Sequence, residues 1–424
     1  MISKIKKVVH FFVDRPLNRI WDIVSTAKIS AHLSDVRRQK KEERKGFSKR
    51  KIRVAFISQM PEVWGQQSST YERLAADDRF EVEIVCVPQF DIGDRKFKNY
   101  KAVKDYFKTR YPDAVLVDAV GRDKKVLDLK DKNYDYVFYE RPYDIYLPKS
   151  LRCSRMCRYT KTCYIPYSTP DFKPEPGYNA FEKEFYRNVY IGFQNAESNI
   201  RVLYDSMYKR HRKYHHFVNL GYPLLNDAAA TESIPHEKYV IMWTPRWSYD
   251  AKVGGSHFLE YKDTIINLGN EFDDTKILAR PHPFTYTYMV NNGFMTEKDV
   301  EDFKKKALDN GVSFDENKSV IDSFKAADIL VTDLSSIMWL FFFMGKPVIY
   351  CPCDYPLSDE VNKLIDAMYV AKNVEDIRTY IKEIISGNDY KKLDRQKFVD
   401  AYMKKNSDPA GAFVDYLVKD FSER

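Results

Sequence analysis

Short apolar segments alternate with amphipathic segments from residue 52 to the end of the chain. The apolar segments are rich in β-branched and aromatic residues, as in Ile52–Ser58 and Ile329–Val331, which is typical of strands buried on both faces. Between them, apolar residues three and four positions apart predict helices, for example over 297–309. Strands that alternate with helices indicate a parallel α/β architecture.

A polar segment that contains a proline, 228–238, separates two such series of strands and helices. A length of 424 residues suggests two or three domains. We therefore predict two facing Rossmann-like domains with a cleft between them, at 52–227 and 228–408. A last helix, 409–424, could cross back onto the first domain. Within the first domain, the pattern also predicts a long polar loop over 59–69 and a helix that begins at Thr70.

Positive charge is concentrated in an N-terminal segment, residues 1–51. This segment has 15 Lys/Arg and 5 Asp/Glu, whereas the rest of the chain has 54 Lys/Arg and 56 Asp/Glu. A nearly neutral body argues against a nucleic-acid groove across the fold, and we expect no nucleic-acid partner. The basic segment instead predicts contact with an anionic surface.

The first 34 residues predict two amphipathic helical pieces that are broken near Pro16. Apolar residues such as Ile20, Trp21 and Val24 alternate there with Lys and Arg, as in helices that lie on anionic membranes. The alternative is a helix that packs on the body or on a partner. Residues 35–51 have few apolar groups and predict a solvated linker or a surface-binding segment. Because no apolar run is long enough to span a bilayer and no signal peptide is recognisable, we expect a peripheral protein on the cytoplasmic face of a membrane.

The stretch 327–350 predicts a strand, a polar turn, a helix that is apolar all round and a second strand. The turn, Thr332–Ser336, follows the carboxyl end of the first strand, where ligands bind in open parallel sheets. Free backbone N–H groups at the start of the helix favour an anion, typically phosphate. The alternative is that Asp333 or Ser335 simply caps a core helix.

Two further loops, 243–247 and 280–283, also follow predicted strands at their carboxyl ends, so all three loops should meet at one edge of the sheet. Their guanidinium, imidazole and hydroxyl groups suit a diphosphate, and their prolines make the loops stiff. Separately, Arg246 could pair with Asp250, and His282 could cap a helix. The predicted ligand-binding residues are Thr244, Arg246, Arg280, His282, Thr332, Asp333, Ser335 and Ser336.

The order of these motifs resembles one known family. The motifs are Gly221-x-Pro223 with Asp227, Trp243-Thr-Pro-Arg-Trp247, Arg280-Pro-His-Pro283, Thr332-Asp-Leu-Ser-Ser-Ile-Met338 and Gly345-Lys-Pro-Val348. Together they are similar to those of the CDP-glycerol glycerophosphotransferases, the teichoic-acid and capsule polymer synthases. The resemblance implies a GT-B fold, a CDP-glycerol-type donor and transfer of an alkyl phosphate to a hydroxyl with release of CMP.

The resemblance also implies roles for individual residues. His282 would contact the donor phosphates or assist the leaving group, Arg280 would support the diphosphate, and Ser335 and Ser336 would hold phosphate oxygens. One departure is that relatives usually place the loop arginine one or two positions later than Arg246.

A second departure concerns the general base. Relatives often carry a histidine followed by glycine in the first domain, whereas this chain has no histidine between His32 and His211. Glu140 and Asp171 follow first-domain strands and are our candidates for the group that removes the proton of the acceptor hydroxyl.

These observations predict a transferase that moves glycerol phosphate, or a related polyol phosphate, onto a growing cell-surface glycan or polyol-phosphate polymer. A GT-B glycosyltransferase that uses a nucleotide sugar is the first alternative, and a non-catalytic scaffold of a capsule assembly complex is the second. We expect no metal and no cofactor beyond the CDP donor. The six cysteines lack the paired spacing of a zinc site, which favours free thiols.

Overall fold

The computed structural model describes residues 15–43, 50–91, 94–121, 125–169, 185–207, 209–249, 256–317 and 319–423. The described chain divides into two compact units. Unit 1 holds the described residues up to Tyr167, those from 185 to Pro223, and the C-terminal segment from Asp408. Unit 2 holds Leu224–Ser407 together with residues 168 and 169.

The strands of both units are short and mostly buried. They are β1 Ile52–Ser58, β2 Phe80–Cys86, β3 Gln89–Asp91, β4 Lys96–Lys98, β5 Val115–Asp118, β6 Tyr136–Tyr139, β7 Lys161–Tyr164, β8 Ile191–Phe193, β9 His216–Val218, β10 Tyr239–Thr244, β11 Thr275–Ala279, β12 Ser313–Phe314, β13 Ile329–Thr332, β14 Val348–Tyr350 and β15 Tyr369–Val370.

The α-helices vary more in length. They are α1 Arg15–Glu43, α2 Gly65–Ala75, α3 Ala102–Arg110, α4 Cys153–Met156, α5 Glu197–Ser206, α6 Pro223–Ala229, α7 Phe258–Ile265, α8 Leu268–Glu271, α9 Thr285–Asn291, α10 Glu297–Asp309, α11 Val320–Lys325, α12 Ile337–Phe343, α13 Asp359–Ile365, α14 Val374–Ile385, α15 Lys392–Lys405 and α16 Pro409–Glu423.

Each unit is built on one parallel sheet. Among the described residues, the strand order is β5-β2-β1-β6-β7-β8-β9 in unit 1 and β12-β11-β10-β13-β14-β15 in unit 2. All pairs in both sheets are parallel, and β3 and β4 form a separate antiparallel hairpin. In each unit the first strand of the series, β1 or β10, lies in the interior of the sheet and not at its edge. This is the topology of Rossmann-like units.

The predicted polar loop over 59–69 is wrong. A 3₁₀ turn covers Pro61–Val63, and α2 begins at Gly65. The helix was missed because its first turn buries polar rather than apolar side chains. Gln66 donates to the carbonyl of Glu140 (3.0 Å) and Gln67 to that of Tyr139 (2.7 Å), which fixes α2 against the end of β6.

The C-terminal helix α16 packs on the sheet of unit 1. Its Asp420 is 3% exposed and forms an ion pair with Lys161 of β7 (2.5 Å). The hydroxyl of Tyr136 donates to the same carboxylate (2.7 Å), and the ring of Phe413 stacks on Phe193 at 4.1 Å between centroids. A buried charge pair that also accepts a hydroxyl group fixes the helix in one position.

Helix α1 continues to Glu43, so the predicted linker from residue 35 is wrong over the described part of that segment. The helix packs on unit 1 by the face on which Asp22 pairs with Arg187 (2.7 Å) and Ser25, Thr26 and Ile29 are buried. Its apolar side points away from the body and exposes Leu17, Ile20, Trp21, Ile23 and Val24. Of the helices in the described ranges, none combines the length and apolarity needed to cross a membrane.

Candidate active site

The three loops singled out in the sequence leave one edge of the unit 2 sheet. In the strand register, Thr244 at the end of β10 pairs with Thr332 at the end of β13, and Trp243 pairs with Ala279 at the end of β11. The Thr244 hydroxyl donates to that of Thr332 (2.7 Å), whose oxygen lies 2.7 Å from the carbonyl of Asp333. Both threonine side chains are buried and therefore join the strand ends to each other.

The carboxylate of Asp333 accepts hydrogen bonds from both ends of the loop that follows β10. Its Oδ2 accepts the backbone N–H groups of Arg246 (2.7 Å) and His257 (3.2 Å), and its Oδ1 lies 2.7 Å from His257 Nδ1. Only 3% of Asp333 is exposed. The carboxylate thus fixes the two ends of this loop and does not cap α12, whose first turn has no side-chain cap. The alternative that Asp333 or Ser335 caps this helix is therefore wrong.

His257 is a site residue that the sequence analysis missed. Although burial acts to lower it, the hydrogen bond to Asp333 and the negative charges of Asp333, Glu260 and Asp354 raise the pKa of His257 above its ordinary value. Its ring stacks on Tyr261 at 4.9 Å, so Nδ1 and one ring face are both occupied. Since His257 stands alone before a helix and 76 positions from Asp333, no periodicity or motif marks it.

The loops that carry Arg246 and His282 are in contact through the rings of Trp247 and His282. Burial, and secondarily the charge of Arg246, lower the pKa of His282 below its ordinary value. The backbone N–H of Phe284 donates to His282 Nδ1 (3.2 Å), and the ring of Trp247 lies 6.0 Å away. A ring nitrogen that accepts a hydrogen bond carries no proton, so His282 is neutral with its proton on Nε2.

The Arg246 side chain is directed by its own loop and the turn after β13. Nη1 donates to the carbonyl of Leu334 (3.4 Å), and Ser256 donates to the carbonyl of Arg246 (2.7 Å). The alternative partner proposed from the sequence, Asp250, lies outside the described residues.

Arg280 is anchored through a single nitrogen. The two N–H groups of Nη1 are shared among Asp315 (2.5 Å), the carbonyl of Asn317 (2.9 Å) and the hydroxyl of Ser323 (3.0 Å). Within the described chain, Nε and Nη2 have no acceptor, and the side chain is 20% exposed. Nη1 therefore holds the loop after β11 to the segment after β12, whereas the N–H groups of Nε and Nη2 remain available to a ligand.

The turn after β13 presents two hydroxyl groups. Ser335 and Ser336 are half-buried and precede α12, which is seven residues long and packs six of them into the core. Behind the helix, Lys346 of the Gly-Lys-Pro motif is buried and donates to the carbonyls of Phe324 (2.7 Å) and Ala327 (2.6 Å). This lysine, whose pKa burial lowers to about 8, supports the end of α11 and does not face a ligand.

Glu140, the first candidate base, lies at the carboxyl edge of the unit 1 sheet. Its Oε2 accepts from the Ser58 hydroxyl (2.8 Å), and its Oε1 accepts from the N–H groups of Gln59 and Met60 (2.8 Å each). Burial raises the pKa of the carboxyl group. Glu140 thus fixes the chain where it leaves β1, and its catalytic role stays a prediction. The second candidate, Asp171, lies outside the described residues.

No cluster of three or more His, Cys, Asp or Glu side chains in the described ranges has the arrangement of a metal site. The six cysteines are unbridged, and all but Cys353 are buried.

With this geometry established, comparison with known proteins identifies the family. The model of the CDP-Glycerol:Poly(glycerophosphate) glycerophosphotransferase family matches residues 189–412, slightly more than half of the chain. This chain belongs to that family. The matched region includes all of the loops described above in unit 2, and it confirms the resemblance inferred from the motifs.

Two characterised relatives share part of the sequence. The teichoic acid poly(glycerol phosphate) polymerase of Staphylococcus epidermidis is 26% identical over 234 residues, which cover 49% of this chain and 30% of the relative. The teichoic acid glycerol-phosphate transferase of Staphylococcus aureus is 30% identical over 166 residues, which cover 38% of each protein. The chain thus spans roughly a third of the length of these relatives of the glycerophosphotransferase family.

Solved structures with a similar fold include two kinds of enzyme. The UDP-GlcNAc 2-epimerase from Neisseria meningitidis bound to UDP-GlcNAc has a TM-score of 0.55 at 12% identity and covers 87% of this chain and 100% of its own. The wall teichoic acid polymerase TagF has a TM-score of 0.50 at 15% identity and covers 95% of this chain and 98% of its own. Both likenesses show the fold alone, and with the two Rossmann-like units they confirm that this glycerophosphotransferase family member has the predicted GT-B fold.

Proposed function

We propose that this chain transfers glycerol phosphate, or a related polyol phosphate, from a CDP-activated donor to a hydroxyl group. The acceptor would be a growing cell-surface glycan or polyol-phosphate polymer. The family supports the donor class, and the two curated relatives act on teichoic acids. The observation that carries the proposal is that the loops of Arg246 and His282 leave the same sheet edge as the turn with Ser335 and Ser336. Arg246 reaches the carbonyl of Leu334 in that turn (3.4 Å), and the rings of Trp247 and His282 are 6.0 Å apart.

These groups suit a diphosphate. Arg246 supplies a delocalised positive charge, and neutral His282 supplies an N–H donor at Nε2. Arg280 adds N–H groups that its anchoring contacts do not use. Because Asp333 and the loop prolines hold these groups in place before a donor binds, little reorganisation opposes the stabilisation of charge.

In the reaction, the acceptor oxygen attacks the phosphorus of the transferred group. The new P–O bond forms as the bond from that phosphorus to the CMP oxygen breaks, so CMP leaves with the electron pair and the hydroxyl proton passes to a base. Arg246, Arg280 and His282 would stabilise the negative charge on the two phosphates. Glu140 and Asp171 remain our candidates for the base.

The membrane-facing role is a second part of the proposal. Helix α1 packs on unit 1 by the face that carries Asp22 and Ile29, and it exposes Leu17, Ile20, Trp21 and Val24, which recur at helical spacing. Residues 1–51 are also strongly basic. An exposed apolar stripe within a basic segment matches a helix that lies on an anionic membrane, and the acceptor polymer would then be extended at the cytoplasmic face.

The direct test is nucleotide release. The full chain is incubated with a polyol-phosphate acceptor and with CDP-glycerol, CDP-ribitol or a UDP-sugar in turn, and CMP and UDP are quantified. We expect CMP from a CDP-polyol; UDP as the sole product would instead indicate a glycosyltransferase, and no release from any donor would favour a scaffold.

A matched pair of variants locates the chemistry. His282→Ala should lower turnover by about 100-fold or more, on the usual scale of electrostatic and acid–base groups. His236→Ala removes a histidine of the same unit that pairs with Asp328 just before β13, and it should leave turnover unchanged. Equal turnover in the two variants would refute the role of His282.

A further inference from the structure

A second cluster of polar and aromatic side chains lies at the carboxyl edge of the unit 1 sheet. Arg141 follows β6 directly after Glu140, Gln59 follows β1, and Tyr167 lies three positions beyond β7. A small cavity opens at this edge and is lined by Ile57, Tyr139, Glu140, Arg141, Tyr143 and Leu147. This edge is where ligands of parallel α/β units bind.

Arg141 has more hydrogen-bond donors than its surroundings use. Nη2 donates to the side-chain oxygen of Gln59 (2.8 Å). Nε is buried and lies 3.7 Å from Oε1 of Glu140, which is an ion-pair distance but too long for a hydrogen bond. Glu140 already accepts three hydrogen bonds from other groups. In the described part of the chain, four of the five N–H groups of this guanidinium therefore have no acceptor.

Tyrosines hold the guanidinium in place and add hydroxyl groups. The guanidinium carbon of Arg141 lies 5.8 Å from the centre of the Tyr146 ring. The Tyr146 ring packs edge-on against Tyr143, and the hydroxyls of Tyr143 and Tyr167 are 2.9 Å apart. Since only one of these two hydroxyls donates in their shared hydrogen bond, the other has a proton for a ligand.

We propose that Arg141, Tyr143 and Tyr167 form a binding site for a phosphodiester group of the acceptor. A planar guanidinium with unused N–H groups matches the paired oxygens of a phosphate, and hydroxyl donors complete such a site. The inference rests on the proposed function and narrows it: the acceptor carries phosphate next to its reactive hydroxyl, as a polyol-phosphate chain does. An uncharged glycan could accept hydrogen bonds from the guanidinium but would not neutralise its charge.

Equilibrium binding tests this proposal without turnover. The full chain is titrated with glycerophosphoglycerol, a phosphodiester with two glycerol ends, and with triglycerol, an uncharged polyol of similar length. The wild type should bind the phosphodiester at least about tenfold more tightly than triglycerol, and added salt should weaken only the former. Equal affinity for the two compounds would overturn the proposal.

Variants of the cluster make the test specific. Arg141→Gln should weaken phosphodiester binding by about 10- to 100-fold, and Arg141→Lys, which keeps the charge but loses the fork, should lie between. Tyr143→Phe and Tyr167→Phe should each cost less. The matched control is Arg79→Gln, since Arg79 pairs with Asp77 on the surface just before β2, at the opposite edge of the sheet.

Each result has a definite reading. If Arg141→Gln and Arg141→Lys bind the phosphodiester as tightly as wild type, the site assignment is wrong. If Arg141→Gln unfolds, the lysine and phenylalanine variants decide the matter. CMP release from CDP-glycerol is measured on the same samples with glycerophosphoglycerol as the acceptor: wild-type protein that binds the phosphodiester but releases no CMP would contradict the proposed function and leave the anion site standing.

Discussion

The imidazole of His257 and the carboxylate of Asp333 form a hydrogen-bonded pair of 2.7 Å between residues that are 76 positions apart. The same carboxylate accepts the N–H group of Arg246. One buried aspartate thus fixes both ends of the loop that carries Arg246, the proposed donor-binding arginine. Because His257 is titratable, the contact that holds this loop should depend on pH.

Replacing Asp333 should damage both stability and donor binding. Asp333→Asn removes the charge that holds His257 and weakens the acceptor for two backbone N–H groups. We expect a loss of about 1–3 kcal/mol in the free energy of unfolding, the usual cost of unsatisfied buried groups. The KM for CDP-glycerol should also rise, because Arg246 is no longer fixed; thermal unfolding and steady-state kinetics measure the two effects.

The other end of β13 provides a matched control for this variant. Asp328 pairs with His236 and accepts the N–H of Val240, so Asp328→Asn breaks a similar set of contacts at the amino edge of the sheet. It should lower stability but leave the KM for donor unchanged. A similar rise of KM in both variants would show that the effect of Asp333→Asn is not local.

The stabilisation from His257 should depend on pH. The pKa of His257 is raised in the folded protein, so its charged form stabilises the fold fully below the unfolded pKa of about 6.5 and stops doing so as the pH rises through the folded pKa. Wild type should therefore exceed His257→Gln most in unfolding free energy near pH 5–6, and the difference should shrink at higher pH. Chemical denaturation at several pH values measures this, and a difference that grows with pH would contradict the pairing.

His282 should respond to Arg246 even without a substrate. Arg246 is one of the two causes that lower the pKa of His282. In Arg246→Gln, the pKa of His282 should move up towards its ordinary value, while the contribution from burial remains. An NMR titration of the histidine rings detects this shift. An unchanged His282 resonance would mean that the two side chains do not share a site.

The exposed side of α1 should govern membrane binding. Replacement of Ile20 and Trp21 by serine removes the largest exposed apolar groups and leaves the Asp22–Arg187 pair intact. Sedimentation with vesicles of anionic lipid should fall at least about tenfold, since such binding scales with buried apolar area. Leu308→Ser, an exposed leucine on α10, is the control, and retained binding by the double variant would reject the membrane role.

The spacing of apolar residues predicted the elements that bury an apolar face. It did not predict elements that pack through buried polar side chains. The bounds of β1 and α10 agree with the pattern, because apolar residues supply most of their buried positions. Helix α2 was missed because Gln66 and Gln67 pack through hydrogen bonds. The placement of the loops after β10, β11 and β13 at one sheet edge followed from parallel topology. The anchoring of Asp333 needed the position of His257, which only the folded chain reveals.

Glu140 combines a structural contact with a predicted catalytic role, and one substitution separates them. Glu140→Gln replaces an acceptor oxygen by an amide N–H that would face the hydroxyl of Ser58 or the N–H groups of Gln59 and Met60. The free energy of unfolding should therefore fall by about 1–3 kcal/mol. Glu81→Gln, on the surface of β2, is the control and should change stability little, because its ion pair with Arg53 is exposed.

If Glu140 also takes the acceptor's proton, the acidic limb of the pH profile of kcat/KM should disappear in Glu140→Gln. An acidic limb retained at lower stability would contradict the catalytic role and leave Glu140 as the residue that fixes the end of β1.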